Sequence, residues 1–150
     1  MSSQFSAISS EPLLRTLADF RFELRRFLHF SESAALAAGL QPQQHQLLLQ
    51  VAGAPEATAV TIAYAAERLG LKHNSTVELV DRSEREGLLA RTADVTDGRK
   101  AILQVTRKGK RVLNRLVSDH AHELNELAPR LAKALEHIRR HGSKVNAEAR

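Results

Sequence analysis

The side chains best able to do chemistry fall in two short runs. Lys72-His73-Asn74-Ser75-Thr76 sets a cation, an imidazole and three short hydrogen-bonding groups in succession, and Asp97-Gly98-Arg99-Lys100 sets two cations behind an acid and a glycine. Neither run is a catalytic set. The chain has no GxGxxG, no glycine-rich loop before Lys-Ser/Thr and no HExxH, so an enzyme is not expected. Both runs suit an anionic partner that also offers hydrogen-bonding edges. The partial positive charge at a helix start attracts phosphate, and short polar side chains there can approach base edges or backbone oxygens.

Histidine offers a second chemistry. His137 and His141 are four apart, the spacing that places two imidazoles on one helix face, and His120 and His122 lie close by on the same stretch. Cysteine is absent and no acid obviously converges with them, so polar helix surface is expected, with no metal and no cofactor. The lack of cysteine also excludes disulfides and thiol redox sensing. No apolar run could cross a bilayer and no signal-peptide pattern opens the chain, so a cytoplasmic protein without a membrane partner is expected.

The elements that hold these residues can be read from periodicity. Thr61 is placed as N-cap of a short helix whose apolar face is Ala65, Ala66 and Leu69, and Gly70 ends it. Leu71 plugs the turn. A second helix from about His73 to Glu86 turns Thr76, Val77, Leu79 and Val80 toward the first and leaves Asn74, Ser75, Glu78 and Arg82 outward, with Gly87 closing it. Leu88–Thr92 and Ala101–Thr106 read as strands, with Asp97-Gly98 a hairpin-turn signal between them. A helix-turn-helix followed by a basic hairpin is a winged helix: one helix for the major groove, a wing for flanking backbone or minor groove.

Charge follows that frame. The chain carries +5, whereas the segment Arg68–Arg115 holds 12 basic and 6 acidic residues and is +6 by itself. The basic excess sits on the winged stretch and its exit, the footprint of a polyanion binder.

Each contact candidate has two readings. Thr76 either faces the partner or turns inward. His73 reads a base, pairs with phosphate when protonated, or is a plain turn residue, and Lys72 flanks it. Arg82 reaches phosphate or pairs with Glu78 or Glu86. Arg91 is a backbone clamp or a solvated strand residue. Arg99 can enter a narrow, electronegative minor groove, steadied by Asp97, which also shapes the turn, with Lys100 beside it.

Outside this core the pattern is helical. Residues 1–10 are a Ser-rich polar lead-in. A helix over 11–38 carries Pro12 in its first turn and Leu13, Leu17, Phe20, Leu24 and Phe27 along one side, with Gly39 as its stop. Pro42 opens a second helix that buries Leu47, Leu48 and Val51 and ends near Gly53. Thr106 caps a long helix over 107–141 with Gly109 in its first turn. Its stripe Leu113, Val117, His120, Leu124, Leu127, Leu131, Ala134 and Ile138 steps by four and three as a heptad seam. Pro129 breaks or kinks it, which predicts two consecutive helices in one phase, and Gly142 the start of a loose polar tail. A seam needs cover. A second copy supplies it, with Leu13, Leu17, Leu113, Val117, Leu124, Leu127, Leu131 and Ile138 as the interface, unless the 11–38 helix satisfies it within one chain. The expected fold is therefore mainly α with a small β-hairpin wing. One chain, 1–150, comprises a winged helix-turn-helix core over 42–106 and N- and C-terminal dimerisation helices.

The sequence resembles the MarR family of transcriptional regulators over roughly Leu13 to His141. The resemblance rests on Gly39-Leu40-Gln41-Pro42-Gln43, Ala66-Glu67-Arg68-Leu69-Gly70-Leu71, Val77-Glu78-Leu79-Val80-Asp81-Arg82, Gly87-Leu88-Leu89-Ala90-Arg91, Asp97-Gly98-Arg99-Lys100 and Val105-Thr106-Arg107-Lys108-Gly109 in that order and spacing. Lys72-His73-Asn74-Ser75 resembles a subgroup with a basic residue and histidine at that helix start. The resemblance implies a homodimer that binds a palindromic operator in double-stranded DNA, most often as a repressor, released by a small aromatic or lipophilic effector. It further implies an effector pocket against the first helix. Phe22, Arg26, His29 and Phe30 there would suit a small aromatic acid, ordinary dimer core and surface being the other reading. Three positions depart from the family pattern: Ser83 replaces a buried Leu or Met, Tyr64 a capping-box Glu, and Ala65 a larger apolar residue. The competing function is a dimeric protein-interaction module that kept the winged fold without operator binding.

Overall fold

The computed structural model describes residues 11–148; the lead-in at 1–10 lies outside the described residues. The element order is α1 (Glu11–Ala37), α2 (Pro42–Ala52), α3 (Ile62–Leu69), α4 (His73–Arg85), β1 (Leu89–Ala93), β2 (Ala101–Val105) and α5 (Arg107–Glu148). The starts of α2, α3 and α5 carry their expected signals. Pro42 is in the first turn of α2. Thr61 Oγ1 accepts the Tyr64 N–H at 3.1 Å, and Thr106 Oγ1 accepts the Gly109 N–H at 3.1 Å. α1, α3 and α4 stop where glycine permits a left-handed backbone, at Gly39 (φ 83°), Gly70 (φ 64°) and Gly87 (φ 72°).

Two expectations about α5 are corrected. The helix runs unbroken through Pro129. Proline's fixed φ is itself helical, so the residue removes one N–H donor without forcing a stop where the packing on either side keeps the helix in phase. Nor does a tail begin at Gly142: the helix continues to Glu148.

The chain forms two compact units. One, Ser31–Asp119, is the winged helix. Leu47, Leu48, Val80, Leu89, Leu103 and Leu116 are its largest fully buried apolar side chains. Ser83 is also fully buried, and its hydroxyl returns to the Leu79 carbonyl at 2.8 Å, so a small polar residue is tolerated in the core by bonding its own helix. β1 and β2 pair antiparallel from Leu89↔Val105 to Ala93↔Ala101, and the Leu103 N–H donates to the Val60 carbonyl at 2.8 Å. The segment before α3 thus joins the other side of β2.

The other unit joins α1 up to Phe30 with α5 from His120. His120 meets the rings of Phe27 and Phe30 edge-on at 5.9 and 5.3 Å, Glu23 pairs with Arg130 at 3.7 Å, and Thr16 Oγ1 lies 2.6 Å from His137 Nδ1. As residue numbers rise on one helix they fall on the other, so the two run antiparallel here.

The heptad seam divides accordingly. Leu113 (4 % exposed) belongs to the winged core and Leu127 (3 %) is buried in the other unit, which corrects their reading as open interface: both are covered within the single chain. Leu13, Leu131 and Ile138 are half-buried, whereas Leu17, Val117 and Leu124 remain exposed.

Candidate nucleic-acid interface

α4 is amphipathic in the expected sense. Thr76, Leu79, Val80 and Ser83 are buried, and Asn74, Ser75, Glu78, Arg82 and Arg85 are exposed. Its start is open. Lys72 is the N-cap in extended backbone with no side-chain cap, so the first-turn N–H groups project with His73, Asn74 and Ser75, all exposed. Thr76 is corrected: it is fully buried, and its hydroxyl donates to the Lys72 carbonyl at 3.0 Å. Arg82 forms no ion pair with Glu78 or Glu86 among the described residues, and its side chain stands on the outer face beside Arg85. Glu78, Asp81, Arg82, Glu84 and Arg85 line a shallow recess of about 460 Å³ on that face.

The wing is ordered by its own acids. Asp94 Oδ1 accepts the N–H and hydroxyl of Thr96, each at 3.0 Å, and these bonds, the N–H first, hold its carboxyl below the usual range. The Asp94 N–H extends the ladder to the Lys100 carbonyl at 3.0 Å, and the Lys100 N–H closes a turn on the Asp97 carbonyl at 2.9 Å. The strands are therefore joined by a polar loop in which Asp97–Lys100 is the turn. Asp97 Oδ1 accepts the Arg99 N–H at 3.1 Å and lies 3.6 Å from Arg99 Nε, while the Arg99 side chain is 96 % exposed. The acid shapes the turn and steadies the cation, as both readings of Asp97 required.

Arg91 departs from the rest of the set. Its guanidinium donates to Asp81 and, at 3.2 Å, to Glu84, two acids of α4, and it is only 27 % exposed. The Asp81 bond is the chief reason its pKa is raised. Arg91 thus ties β1 to α4, so its guanidinium is engaged within the chain rather than simply solvated.

A second tie escaped the sequence reading. Buried Gln44, at the third position of α2, accepts the Gln41 N–H at 3.0 Å through Oε1 and donates through Nε2 to Glu86 at 2.8 Å. Lys108 Nζ donates to the Glu86 carbonyl at 2.8 Å. The C-terminal end of α4 is thereby fastened to the starts of α2 and α5. A Gln at the third helical position was the available signal, since that residue can reach back to the cap.

In the other unit, Phe22, Arg26, His29 and Phe30 line one surface recess of about 360 Å³ together with Arg25 and Glu123. Arg26 stands 5.8 Å over the Phe22 ring and 3.6 Å from Glu23. The His137 and His141 rings meet at 4.2 Å, and His141 Nδ1 lies 2.9 Å from the His137 carbonyl. Among the described residues no group of three or more His, Asp or Glu is placed to hold a metal ion, and no helix is long and apolar enough to cross a membrane.

Residues 38–100 match the model of the MarR family. The curated HTH-type transcriptional regulator MhqR of Bacillus subtilis (strain 168) is 38% identical over 61 residues, which is 41% of this chain and 42% of that protein, so the match spans less than half of the relative's length. A crystal structure of a MarR family transcription regulator superposes with a TM-score of 0.73 at 17% identity, covering 93% of each chain. A MepR variant from S. aureus bound to an oligodeoxyribonucleotide gives a TM-score of 0.61 at 15% identity, covering 95% of this chain and 99% of the other.

Proposed function

We propose that this chain, whose residues 38–100 match the model of the MarR family, is a homodimeric, sequence-specific DNA-binding regulator. It acts as a repressor on a palindromic operator and leaves DNA when a small aromatic or lipophilic ligand binds. One observation carries the reading. Within one compact unit, the uncapped start of α4 and the almost fully exposed Arg99 of the wing are both accessible, cationic or hydrogen-bonding, and fixed by internal ties. A helix tip for a major groove and a guanidinium for the adjacent minor groove are the two contacts a winged helix makes.

Dimerisation is supported by apolar surface that the single chain leaves open. On α1 these residues are Leu14 (64 % exposed), Phe22 (60 %) and Leu28 (51 %), and on α5 Val117 (47 %), Leu124 (41 %) and Leu135 (52 %). The recess at Phe22, Arg26, His29 and Phe30 pairs aromatic faces with cations, which fits a small aromatic acid as effector.

The test is a titration of purified protein against its own upstream intergenic DNA at moderate salt, beside a scrambled duplex of equal length. Tight, salt-sensitive binding to the native duplex alone is expected. Equal affinity for both would favour an interaction module that kept the fold without operator binding.

A further inference from the structure

The outward face of α4 is unusual for a helix meant to meet a polyanion, because it carries carboxylates. With about 100° of turn per residue, the face opposite the buried Thr76, Leu79, Val80 and Ser83 presents Asn74, Glu78, Asp81 and Arg85. Unneutralised acids there would repel phosphate. The structure disposes of all but one. Asp81 and Glu84 are both held by Arg91, and the Glu86 carboxylate accepts from Gln44. Glu78 is exposed, one turn beyond Asn74 and one turn before Arg82, and takes no ion pair or hydrogen bond among the described residues. It is left as the unengaged carboxylate of the groove face.

A carboxylate only accepts hydrogen bonds. In the major groove it is repelled by guanine O6 and N7, by thymine O4 and by phosphate. It is satisfied only by an exocyclic amino group, cytosine N4 above all, adenine N6 otherwise. We propose that Glu78 is a specificity-determining residue that reads such an amino group, while the Arg91 clamp removes the neighbouring negative charge that would otherwise oppose docking. The assignment rests on the DNA-binding reading above and goes beyond it. Glu78 lowers affinity for DNA in general and restores it only where the amino group stands at the right step.

The test compares wild-type protein with Glu78→Ala and Glu78→Gln on the native upstream duplex, on every single base-pair variant of it, and on a scrambled duplex. The site is an exposed helix surface, so neither change threatens the fold. Wild type is expected to lose roughly 5- to 100-fold in affinity when one symmetry-related base pair is replaced. Glu78→Ala flattens the preference at that pair alone and binds the scrambled duplex more tightly than wild type does. Glu78→Gln moves the preference toward adenine, whose N6 and N7 fit an amide. The base that wild type requires tells cytosine from adenine. The proposal is overturned if Glu78→Ala keeps the wild-type preference at every position, or if it changes affinity for all duplexes by one common factor, which would be a bare charge effect. Wild type that does not distinguish native from scrambled duplex would overturn operator binding itself, and this assignment with it.

Discussion

The guanidinium of Arg91, on the first strand of the wing, closes on the carboxylate of Asp81, ten residues earlier on α4. One side chain thereby links the helix and the wing that the proposed DNA contact would use together, and it does so while also engaging Glu84. The fork geometry of arginine suits two acceptors three residues apart on a helix.

Arg91→Ala is expected to loosen the wing from α4 and to expose two acids on the groove side. Stability should fall by about 1 kcal/mol, as for an ion-pair network at a partly exposed site. DNA affinity should fall further than stability does. Arg91→Lys should recover only part of either, because an ammonium cannot fork to both acids. Urea denaturation and duplex titration of the same variants check this; wild-type affinity in Arg91→Ala would refute it.

Gly109 lies where α5 leaves the sheet, with its backbone pressed on the Leu88 carbonyl. A Cβ there would overlap that oxygen and approach Val105 Cγ1 at 2.7 Å. Alanine ordinarily stabilises a helix relative to glycine. Here Gly109→Ala should destabilise the protein by about 1–3 kcal/mol through overpacking, read as a lower urea midpoint. A raised midpoint would contradict the close approach.

Asp94 has a pKa lowered by the bonds it accepts from Thr96. Its folded value lies below its unfolded one, so the order it lends the wing is fully present above the ordinary carboxylate range. That order is lost as pH falls through the lowered folded value. In an NMR titration the Thr96 amide should therefore hold its shift below the pH at which free carboxylates protonate. Movement within the ordinary range would show that the turn is not held this way.

Arg99→Ala should weaken operator binding by about 1–3 kcal/mol if the guanidinium makes a well-formed groove contact, and lower the salt dependence by about one counterion. Stability should hardly change, because among the described residues Arg99 is bonded only to its own turn. Unchanged affinity would remove the wing tip from the interface.

Much of this was legible in the sequence because it is local. Thr61, Thr106, Gly39, Gly70 and Gly87 mark element ends through bonds or dihedrals within a few residues, and the outward set Asn74, Ser75 and Arg82 follows from helical period alone. What failed was non-local or two-sided. Arg91 finds Asp81 only after the strand folds back on the helix, so its spacing gave no hint. Thr76 had two readings, and the inward one holds because its hydroxyl bonds the Lys72 carbonyl and can be buried. The α5 seam hid two environments: Leu113 and the unforeseen Leu116 serve the winged core, while Leu127 packs in the other unit. Pro129 failed as a breaker because a proline's backbone angle is already helical.

The absence of cysteine allows a direct test of where the helix tips lie. Ser75→Cys places a unique thiol on the exposed start of α4, to which a DNA-cleaving iron chelate can be attached. On the protein's own upstream duplex, strand cleavage should fall in two symmetric clusters, in major grooves about 10 base pairs or a multiple of that apart. Cleavage spread evenly along the duplex, or confined to a single cluster, would contradict a paired molecule that reads DNA with this helix.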